Sequence, residues 1–276
     1  DADLVVIDEA SMIGQGVHED LLSYGVPLLY VGDHGQLPPI NESFNLMQDP
    51  MLKLETPHRF SENSPLIKLS MLARLEGKIP FGEFSDKVKK LPKSEISKLN
   101  GDIESFVKSK NLLNGSGVIV CGFNKTRIGL NAKIRDHNDF KEHTPMIGDR
   151  VICLKNNKRS NIPLYNGAHG TIRHITKNPH LDYARSVIEM DGVNEDMFRG
   201  KMLYGAFAQE KFNSYETAPG KEVFDYGYAI TAHKSQGSEF EKVMVIEEGR
   251  YVWKENWNKW LYTAVTRSSD ELLIVG

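Results

Sequence analysis

Two carboxylates follow the first apolar run of the chain. Residues 4–7 read Leu-Val-Val-Ile, and Asp8 and Glu9 come directly after them. A short β-branched run without alternation indicates a strand buried in a parallel sheet. At the end of such a strand one carboxylate can hold the water shell of a Mg²⁺ ion on ATP phosphates, while its neighbour polarises an attacking water. An ordinary pair of acids at a sheet end is the alternative, which these residues alone do not exclude.

A second loop whose residues could take part in chemistry follows the next apolar run, residues 26–31. It reads Gly-Asp-His-Gly-Gln-Leu-Pro-Pro over residues 32–39. Its two glycines permit tight turns, and the two prolines stiffen the exit from the loop. Gln36 both donates and accepts hydrogen bonds, which suits a side chain that senses a γ-phosphate. Because ligands of α/β sheets gather at the carboxyl ends of the strands, we expect Asp8 and Asp33 at one edge.

These two segments resemble motifs II (Walker B) and III of superfamily-one helicases, in the form typical of the RecD-like branch. Further motifs follow in the order of that family. Residues 56–60 (Thr-Pro-His-Arg-Phe) resemble motif IV, and residues 261–267 (Leu-Tyr-Thr-Ala-Val-Thr-Arg) resemble motif VI. The match is most specific at residues 229–240, Ala-Ile-Thr-Ala-His-Lys-Ser-Gln-Gly-Ser-Glu-Phe, which resemble motif V. Its small, hydroxyl and amide groups suit contacts to a phosphate backbone without base reading.

The resemblance implies a role for each matching residue, with ATP and Mg²⁺ as cofactors and single-stranded DNA as partner. Asp8 would hold Mg²⁺ through water, and the catalytic set would be Glu9, Gln36, Arg59 and Arg267. The nucleotide-binding set would be Asp8, Glu9, Gln36, Arg59, Gly237, Glu239 and Arg267. The nucleic-acid-binding set would be His58, Thr231, His233, Lys234 and Ser235. Arginines on one domain and acids on the other would make ATP a bridge that hydrolysis weakens.

The predicted fold class is α/β, with RecA-like P-loop NTPase motor domains. We assign residues 1–56 to the later part of a first RecA-like domain, and 57–149 with 224–276 to a second. Residues 150–223 change to short strands broken by Gly, Asn and Pro, which predicts a small β-barrel insert. Segments 148–151 and 164–170 also resemble the start of the barrel inserted in RecD-like helicases.

A local excess of positive charge marks the insert. The stretch from Arg150 to Arg185 carries seven Lys or Arg residues and one acid, Asp182, although the chain as a whole has a net charge of −3. Such a surface can hold phosphates while the rest of the molecule is acidic. We therefore add Lys155, Lys158 and Arg159 to the nucleic-acid-binding set. A solvated face is the alternative interpretation.

The hydrophobic pattern also predicts individual elements. Predicted helices span 16–24, 65–75, 124–135 (with Asn124 as N-cap) and 257–267. Predicted strands span 4–7, 26–31, 118–121, 151–154, 170–175, 186–190, 226–230, 243–246 and 272–275. Residues 81–114 give no clear pattern. Trp253, Trp257 and Trp260 lie near helical spacing, which favours core packing over base stacking.

No Gly-x-x-x-x-Gly-Lys-Ser/Thr loop occurs in the sequence, so the usual phosphate cradle is missing. Because Asp1 stands directly before a core strand, we expect the chain to belong to a longer protein, and we expect it alone to lack strand-stimulated ATPase activity. Two rivals to a DNA helicase stay open: an RNA helicase of the same superfamily, and a non-catalytic nucleic-acid-binding remnant. A nuclease or replication and recombination proteins are candidate partners.

Composition bounds the remaining classes. The chain is 40% hydrophobic and 26% charged, and it contains no apolar run long enough to span a membrane. Cys121 and Cys153 lie in apolar stretches, which favours buried reduced thiols and a cytoplasmic location. The nine histidines show no ligand spacing, so no further metal site is predicted.

Overall fold

A computed structural model of the chain describes residues 2–39, 44–54, 64–94, 117–193, 196–213 and 220–276. The helices are α1 (Gln15–Ser23), α2 (Pro65–Glu76), α3 (Asn124–His137), α4 (Ala232–Ser235), α5 (Arg250–Trp253) and α6 (Trp257–Val265). The strands up to the middle of the chain are β1 (Val5–Ile7), β2 (Leu28–Tyr30), β3 (Gly82–Ser85), β4 (Val88–Leu91), β5 (Gly117–Cys121) and β6 (Arg150–Cys153). The later strands are β7 (His169–Thr176), β8 (Tyr183–Met190), β9 (Phe198–Leu203), β10 (Phe224–Tyr226), β11 (Ala229–Thr231), β12 (Phe240–Ile246) and β13 (Ser268–Val275).

The chain divides into two compact units. The first comprises Asp1–Pro80 and Arg250–Thr266, and the second comprises Phe81–Gly249 and Arg267–Gly276. In the first unit β1 and β2 pair in parallel, with Val5 opposite Leu28. The helix α1 connects them, as the sequence predicts.

The helices α2 and α6 pack against each other within the first unit. The indole N–H of Trp257 donates to the carbonyl oxygen of Gly77 at 2.7 Å, and the Asn258 amide donates to that of Arg74 at 3.2 Å. Gly77 ends α2 with φ +60, and a Cβ there would lie 2.1 Å from the Asn258 side-chain oxygen. The compact unit that contains α2 and residues 250–266 also contains β1 and β2.

The second unit contains a six-stranded sheet in the order β11-β5-β12-β13-β4-β3. Its ladders are parallel except for the edge pair β3–β4, which is antiparallel. The central strands β5 and β12 contain buried apolar runs at residues 118–121 and 243–246, as expected for a parallel sheet covered on both faces. The strands β3 and β4 come from the start of the stretch that gave no clear pattern; residues 95–116 lie outside the described residues.

The predicted cap of α3 is wrong by one residue. Asn124 is the first helical residue, and Phe123 holds the N-cap position without a side-chain hydrogen bond. The carboxylate of Glu248 supplies the cap instead: Oε1 accepts from the backbone N–H groups of Gly122 and Phe123 at 2.8 and 3.1 Å. Oε2 accepts from the Thr126 hydroxyl at 2.8 Å. An acid from beyond β12 thus satisfies orphan donors of a helix that is distant in sequence.

A five-stranded antiparallel sheet, β10-β6-β7-β8-β9, forms the other layer of the second unit. The strand β9 is absent from the predicted elements, because its polar residues alternate over only six positions. One parallel bridge joins Met202 of β9 to Glu222, two residues before β10. The all-β character of the insert is as expected, and closure into a barrel stays a prediction.

The predicted strand 226–230 is in fact two strands. Tyr226 ends β10 in the antiparallel sheet, and Ala229 begins β11 in the parallel sheet. Gly227 makes the crossing, and a Cβ there would lie 2.9 Å from the backbone of Val151. Asp149 fastens the same junction, since its buried carboxylate accepts from Arg135 Nε at 2.9 Å and from the Tyr228 hydroxyl at 2.9 Å.

The predicted burial of the two cysteines is confirmed, but the predicted burial of the first strand is wrong, since Leu4 and Val6 are exposed. Cys121 and Cys153 are buried and free, and burial raises the pKa of their thiols to about 12 and about 11. Trp257 and Trp260 are buried and stack with ring centroids 5.1 Å apart, whereas Trp253 is half-buried.

Candidate functional site

The acid pair lies at the carboxyl end of β1. Asp8 is exposed, and its Oδ1 accepts from the backbone N–H of Glu9 at 2.8 Å. Glu9 is half-buried and adopts a left-handed backbone conformation, with φ 51 and ψ 38. Left-handed backbone costs a non-glycine residue roughly 1–2 kcal/mol, and such strain is concentrated at functional sites. The strained turn therefore leaves Asp8 exposed and Glu9 half-buried, and two carboxylates with different roles would need such different environments.

The loop after β2 lies against the acid pair. The backbone N–H of Ala10 donates to the carbonyl oxygen of Val31 at 2.9 Å. A Cβ on Gly32 would lie 3.0 Å from the backbone nitrogen of Ser11, so the two loops approach too closely for a side chain. The predicted proximity of motifs II and III is therefore present in the first unit.

Two buried polar atoms beside these loops have no hydrogen-bond partner among the described residues. They are Ser11 Oγ and Gln36 Oε1, in residues that are 2% and 8% exposed. Buried polar atoms in native proteins are nearly always paired. The carboxylates of Asp8 and Glu9 in the neighbouring turn are oxygen ligands of the kind that Mg²⁺ takes, and Mg²⁺ keeps several waters.

Tyr262, to which the sequence gave no role, fixes the loop that carries Gln36. Its hydroxyl donates to Asp33 Oδ2 at 2.7 Å, and Asp33 Oδ1 accepts from the Gly35 N–H at 2.8 Å. A Cβ on Gly35 would lie 3.0 Å from the Tyr262 ring. Next along α6, the Thr263 hydroxyl accepts from the N–H of Leu37 at 3.0 Å. Asp33 thus orients motif III, and Tyr262 of motif VI holds Asp33 in place. Sequence reasoning could not find this pair, because the two residues are separated by 229 in the numbering.

Motif V forms a tight turn after β11 in the second unit. The Thr231 side chain caps α4 by accepting from the N–H of Lys234 at 3.4 Å. Ser235 is fully buried and donates its hydroxyl to the Ala232 carbonyl oxygen at 2.8 Å. Lys234 is exposed and His233 is half-buried. Thr231 and Ser235 therefore shape the turn, while His233 and Lys234 are the side chains that it presents.

Arg267 lies beneath the same turn. It is 5% exposed, and its guanidinium Nη1 donates to the carbonyl oxygens of Ser235 and Ser238 at 3.3 and 3.1 Å. Gly237, at φ 74, allows the backbone to turn between those carbonyls, and Glu239 is exposed after it. The arginine of motif VI and the loop of motif V consequently form one hydrogen-bonded structure.

Lys234 faces a cavity of about 670 Å³ in the second unit. The cavity is also lined by Asn124, Arg127 and Asp225, and Arg127 forms a buried ion pair with Asp225. Partial burial of the Lys234 ammonium, with the positive charge of Arg127, lowers its pKa. The Lys234 ammonium also donates to Asn166 Oδ1 at 3.4 Å, which joins motif V to the loop before β7.

The cations predicted in the insert lie on the loop between β6 and β7. Lys158 and Arg159 are exposed, and Lys155 is half-buried. Other members of the basic stretch are neutralised: Arg150, Arg173 and Lys177 form ion pairs with Asp191, Glu189 and Glu142. The sequence count of positive charge therefore overstates what this stretch offers to a phosphate. His58 and Arg59 lie outside the described residues.

The fold is α/β with a parallel sheet of the RecA-like kind, and its loops carry segments that resemble helicase motifs. A family model described as the UvrD-like helicase C-terminal domain matches residues 226–275. The ATP-dependent RecD2 DNA helicase of Deinococcus radiodurans is 26% identical over 301 residues, which cover 99% of this chain and 36% of that relative. The chain is thus similar to a helicase of the RecD-like type, and it spans about a third of the length of that relative.

Solved structures agree on the fold. The Pif1 helicase from Bacteroides in complex with ADP-AlF3 and ssDNA matches with a TM-score of 0.58 and 16% identity, over 99% of this chain and 70% of that chain. The Pif1 helicase from Candida albicans matches with a TM-score of 0.59 and 15% identity, over 99% of this chain and 72% of that chain. Within the described residues, no helix is long and apolar enough to cross a bilayer.

Proposed function

We propose that the protein acts as an ATP-driven translocase on single-stranded DNA and unwinds duplex DNA, in the 5′ to 3′ direction. The observation that carries this proposal is the bonding of Arg267 to the carbonyl oxygens of Ser235 and Ser238. An arginine that stabilises the γ-phosphate and also holds the strand-contacting loop would change the geometry of that loop when the nucleotide is hydrolysed. The named RecD2 and Pif1 relatives, helicases that include one complex with ADP-AlF3 and ssDNA, support the same activity.

Each site residue takes one part in the proposed cycle. Asp8 holds Mg²⁺ through water, and Glu9 orients the water that attacks the γ-phosphate. Gln36 reports the presence of that phosphate, and Arg267 stabilises its developing charge, together with Arg59. Gly237 and Glu239 contribute on the nucleotide side of motif V, while His58 and the presented side chains His233 and Lys234 contact the strand.

The ranges predicted from the sequence form part of this proposal. Residues 1–56 would belong to the first RecA-like domain, 57–149 and 224–276 to the second, and 150–223 to a small barrel. Lys155, Lys158 and Arg159 would guide the strand as it leaves the motor. A nuclease or replication and recombination proteins would be its partners in the cell.

Strand-stimulated ATP hydrolysis and strand displacement by the whole protein test the proposal. We expect hydrolysis to rise with single-stranded DNA more than with RNA of equal length. A fork with a 5′ overhang should be unwound in preference to one with a 3′ overhang. ATP-independent binding without hydrolysis would favour the non-catalytic remnant, and equal or greater stimulation by RNA would favour an RNA helicase.

A further inference from the structure

Three cations share one exposed face of the five-stranded sheet. In the β8–β9 ladder Arg185 lies directly opposite Lys201, and Val187 lies opposite Arg199. Positions 185 and 187 of β8 therefore point to the same side as positions 199 and 201 of β9. We call the surface formed by Arg185, Arg199 and Lys201 the outer basic face.

The alternation of burial confirms which way these side chains point. In β8, Ala184, Ser186 and Ile188 are buried, whereas Arg185 is exposed. Arg199 and Lys201 are likewise exposed, on either side of Gly200. Together with His174 of β7, the three cations line a shallow concavity of about 290 Å³. The outer basic face is thus a hollow surface open to solvent.

Neighbouring cations of the same sheet and its loops have carboxylate partners, whereas the described part of the chain provides none for the cations of the outer basic face. Arg150, Arg173, Lys177 and Lys221 pair with Asp191, Glu189, Glu142 and Asp182. Among the residues that the structure describes, no ion pair is formed by Arg185, Arg199 or Lys201. Like charges directly opposite in a ladder are destabilising, so the Arg185–Lys201 pair carries a cost that a bound anion would offset.

The loop with Lys158 and Arg159 adjoins this face. The Asn161 side chain accepts from the backbone N–H of Arg199 at 2.8 Å and donates to the Met197 carbonyl oxygen at 2.7 Å. Asn161 therefore fastens the loop to the start of β9. The exposed cations Lys158 and Arg159 therefore belong to a loop that is bonded to this strand.

We propose that the outer basic face binds the phosphodiester backbone of DNA, as a contact additional to motif V. Ladder geometry places Cβ atoms about 5 Å apart across the strands and about 7 Å apart along each strand, a regular spacing that suits a repeating anion. Arginine forks match phosphate oxygens in bidentate geometry. The inference rests on the proposed function, because it assigns a second surface for the same substrate.

The test compares two triple variants of the chain that each remove three positive charges. The first is Arg185→Gln, Arg199→Gln, Lys201→Gln, and the matched control is Arg173→Gln, Lys177→Gln, Lys221→Gln on paired cations. DNA binding is measured by fluorescence anisotropy over a salt series, with single-stranded and duplex oligonucleotides as separate arms. Each lost phosphate contact flattens the slope of log K against log salt by about 0.7 for single strands and about 0.9 for duplex. We expect a loss of about two units on single strands or nearly three on duplex for the first variant, and little change for the control.

The outcomes separate this inference from the proposed function. Binding by the unmodified chain with an unchanged slope in the first variant overturns the inference alone, as do equal losses in both variants. No DNA binding by the unmodified chain overturns both. If the first variant fails to fold, Arg199→Gln alone should still flatten the slope by about 0.7 on single strands. A polyglutamate competitor that displaces no DNA supports backbone recognition, and one that competes at equal charge concentration argues against it.

Discussion

Arg267 donates a hydrogen bond to the carbonyl oxygen of Ser238 at 3.1 Å, and its guanidinium is almost fully buried. Ser238 closes the turn in which Lys234 is presented and Thr231 is the cap. A residue expected to act on ATP is therefore also a structural member of the loop expected to hold the strand. Removal of the Arg267 side chain should therefore affect both ATP hydrolysis and strand binding.

Arg267→Ala should reduce strand-stimulated turnover in the whole protein and also weaken strand binding in the absence of nucleotide. The variant removes the guanidinium donor from the carbonyl oxygens of Ser235 and Ser238, of which Ser235 keeps a backbone donor, the N–H of Ser238. A buried group that loses its donor costs about 1–3 kcal/mol. Steady-state ATPase assays at varied DNA concentration would give both effects. Arg250→Ala, at an arginine that is exposed, is the control. Normal strand affinity in Arg267→Ala would mean that the contact to Ser238 does not shape the loop.

Glu9→Gln should abolish turnover while nucleotide binding persists. The amide keeps the shape of the side chain but cannot orient and polarise the attacking water, for which losses of 10²–10⁴-fold, to order of magnitude, are typical. The measurements are kcat for ATP and the affinity for a fluorescent nucleotide, with Asp3→Asn as control because Asp3 is an exposed acid just before β1. A kcat near that of the unmodified protein would remove Glu9 from its role.

The loop cations can be tested separately from the outer basic face. Replacing Lys155, Lys158 and Arg159 with Ala should weaken single-strand binding at low salt. The slope of log K against log salt should flatten by about two units, because three phosphate contacts contribute roughly 0.7 each. ATP affinity should not change. An unchanged slope would indicate a solvated loop that serves solubility or protein docking.

His169 should make stability fall on acidification. Burial and the charge of Arg150 lower its pKa to about 4, and its Nε2 has no hydrogen-bond partner among the described residues. The unfolded state takes up the proton near pH 6.5 and the folded state only near 4, so stability is complete above 6.5 and is lost as pH falls towards 4. The loss amounts to roughly 3 kcal/mol. Urea unfolding at pH 7 and pH 4 would measure most of this loss.

His169→Gln should flatten this pH dependence, whereas His174→Gln, at an exposed histidine of the same strand, should leave it intact. The charged groups that face His169 are Arg150 and Asp191, so substitution of either would shift the same profile. A profile that is identical in His169→Gln and the unmodified chain would assign the acid sensitivity to other groups.

Asp149→Ala should be strongly destabilising. The carboxylate is fully buried and accepts from Arg135, the Tyr228 hydroxyl and the backbone N–H of Met146. Removing one partner of a buried ion pair leaves an uncompensated charge, at a cost of about 3–5 kcal/mol. Denaturant unfolding would show this, with Asp136→Ala at an exposed acid of α3 expected to fall within about 0.5 kcal/mol of the unmodified chain. Equal midpoints would show that Asp149 does not hold the junction of the two sheets.

The sequence by itself determined the α/β fold class, the parallel pair β1–β2 and the motif residues. These follow from local patterns: an apolar run that ends in acids at Asp8, or the turn chemistry of residues 229–240. The boundaries of long elements such as α2 were also within reach, because Pro65 and Gly77 are start and stop signals in the chain itself.

Only the tertiary structure decided which distant residues serve one another. Glu248 caps α3, Tyr262 holds Asp33, and Arg267 holds motif V, and in each case the partners are far apart in the chain. The same is true of the outer basic face, since the pairing register of β8 with β9 places Arg185 beside Lys201. Long-range hydrogen bonds and the register of a strand pair depend on how distant segments pack together, and local sequence propensities do not encode them. The ion pairs of Arg150, Arg173 and Lys177 show the converse, because charges that add up along the sequence cancel once the sheet has formed.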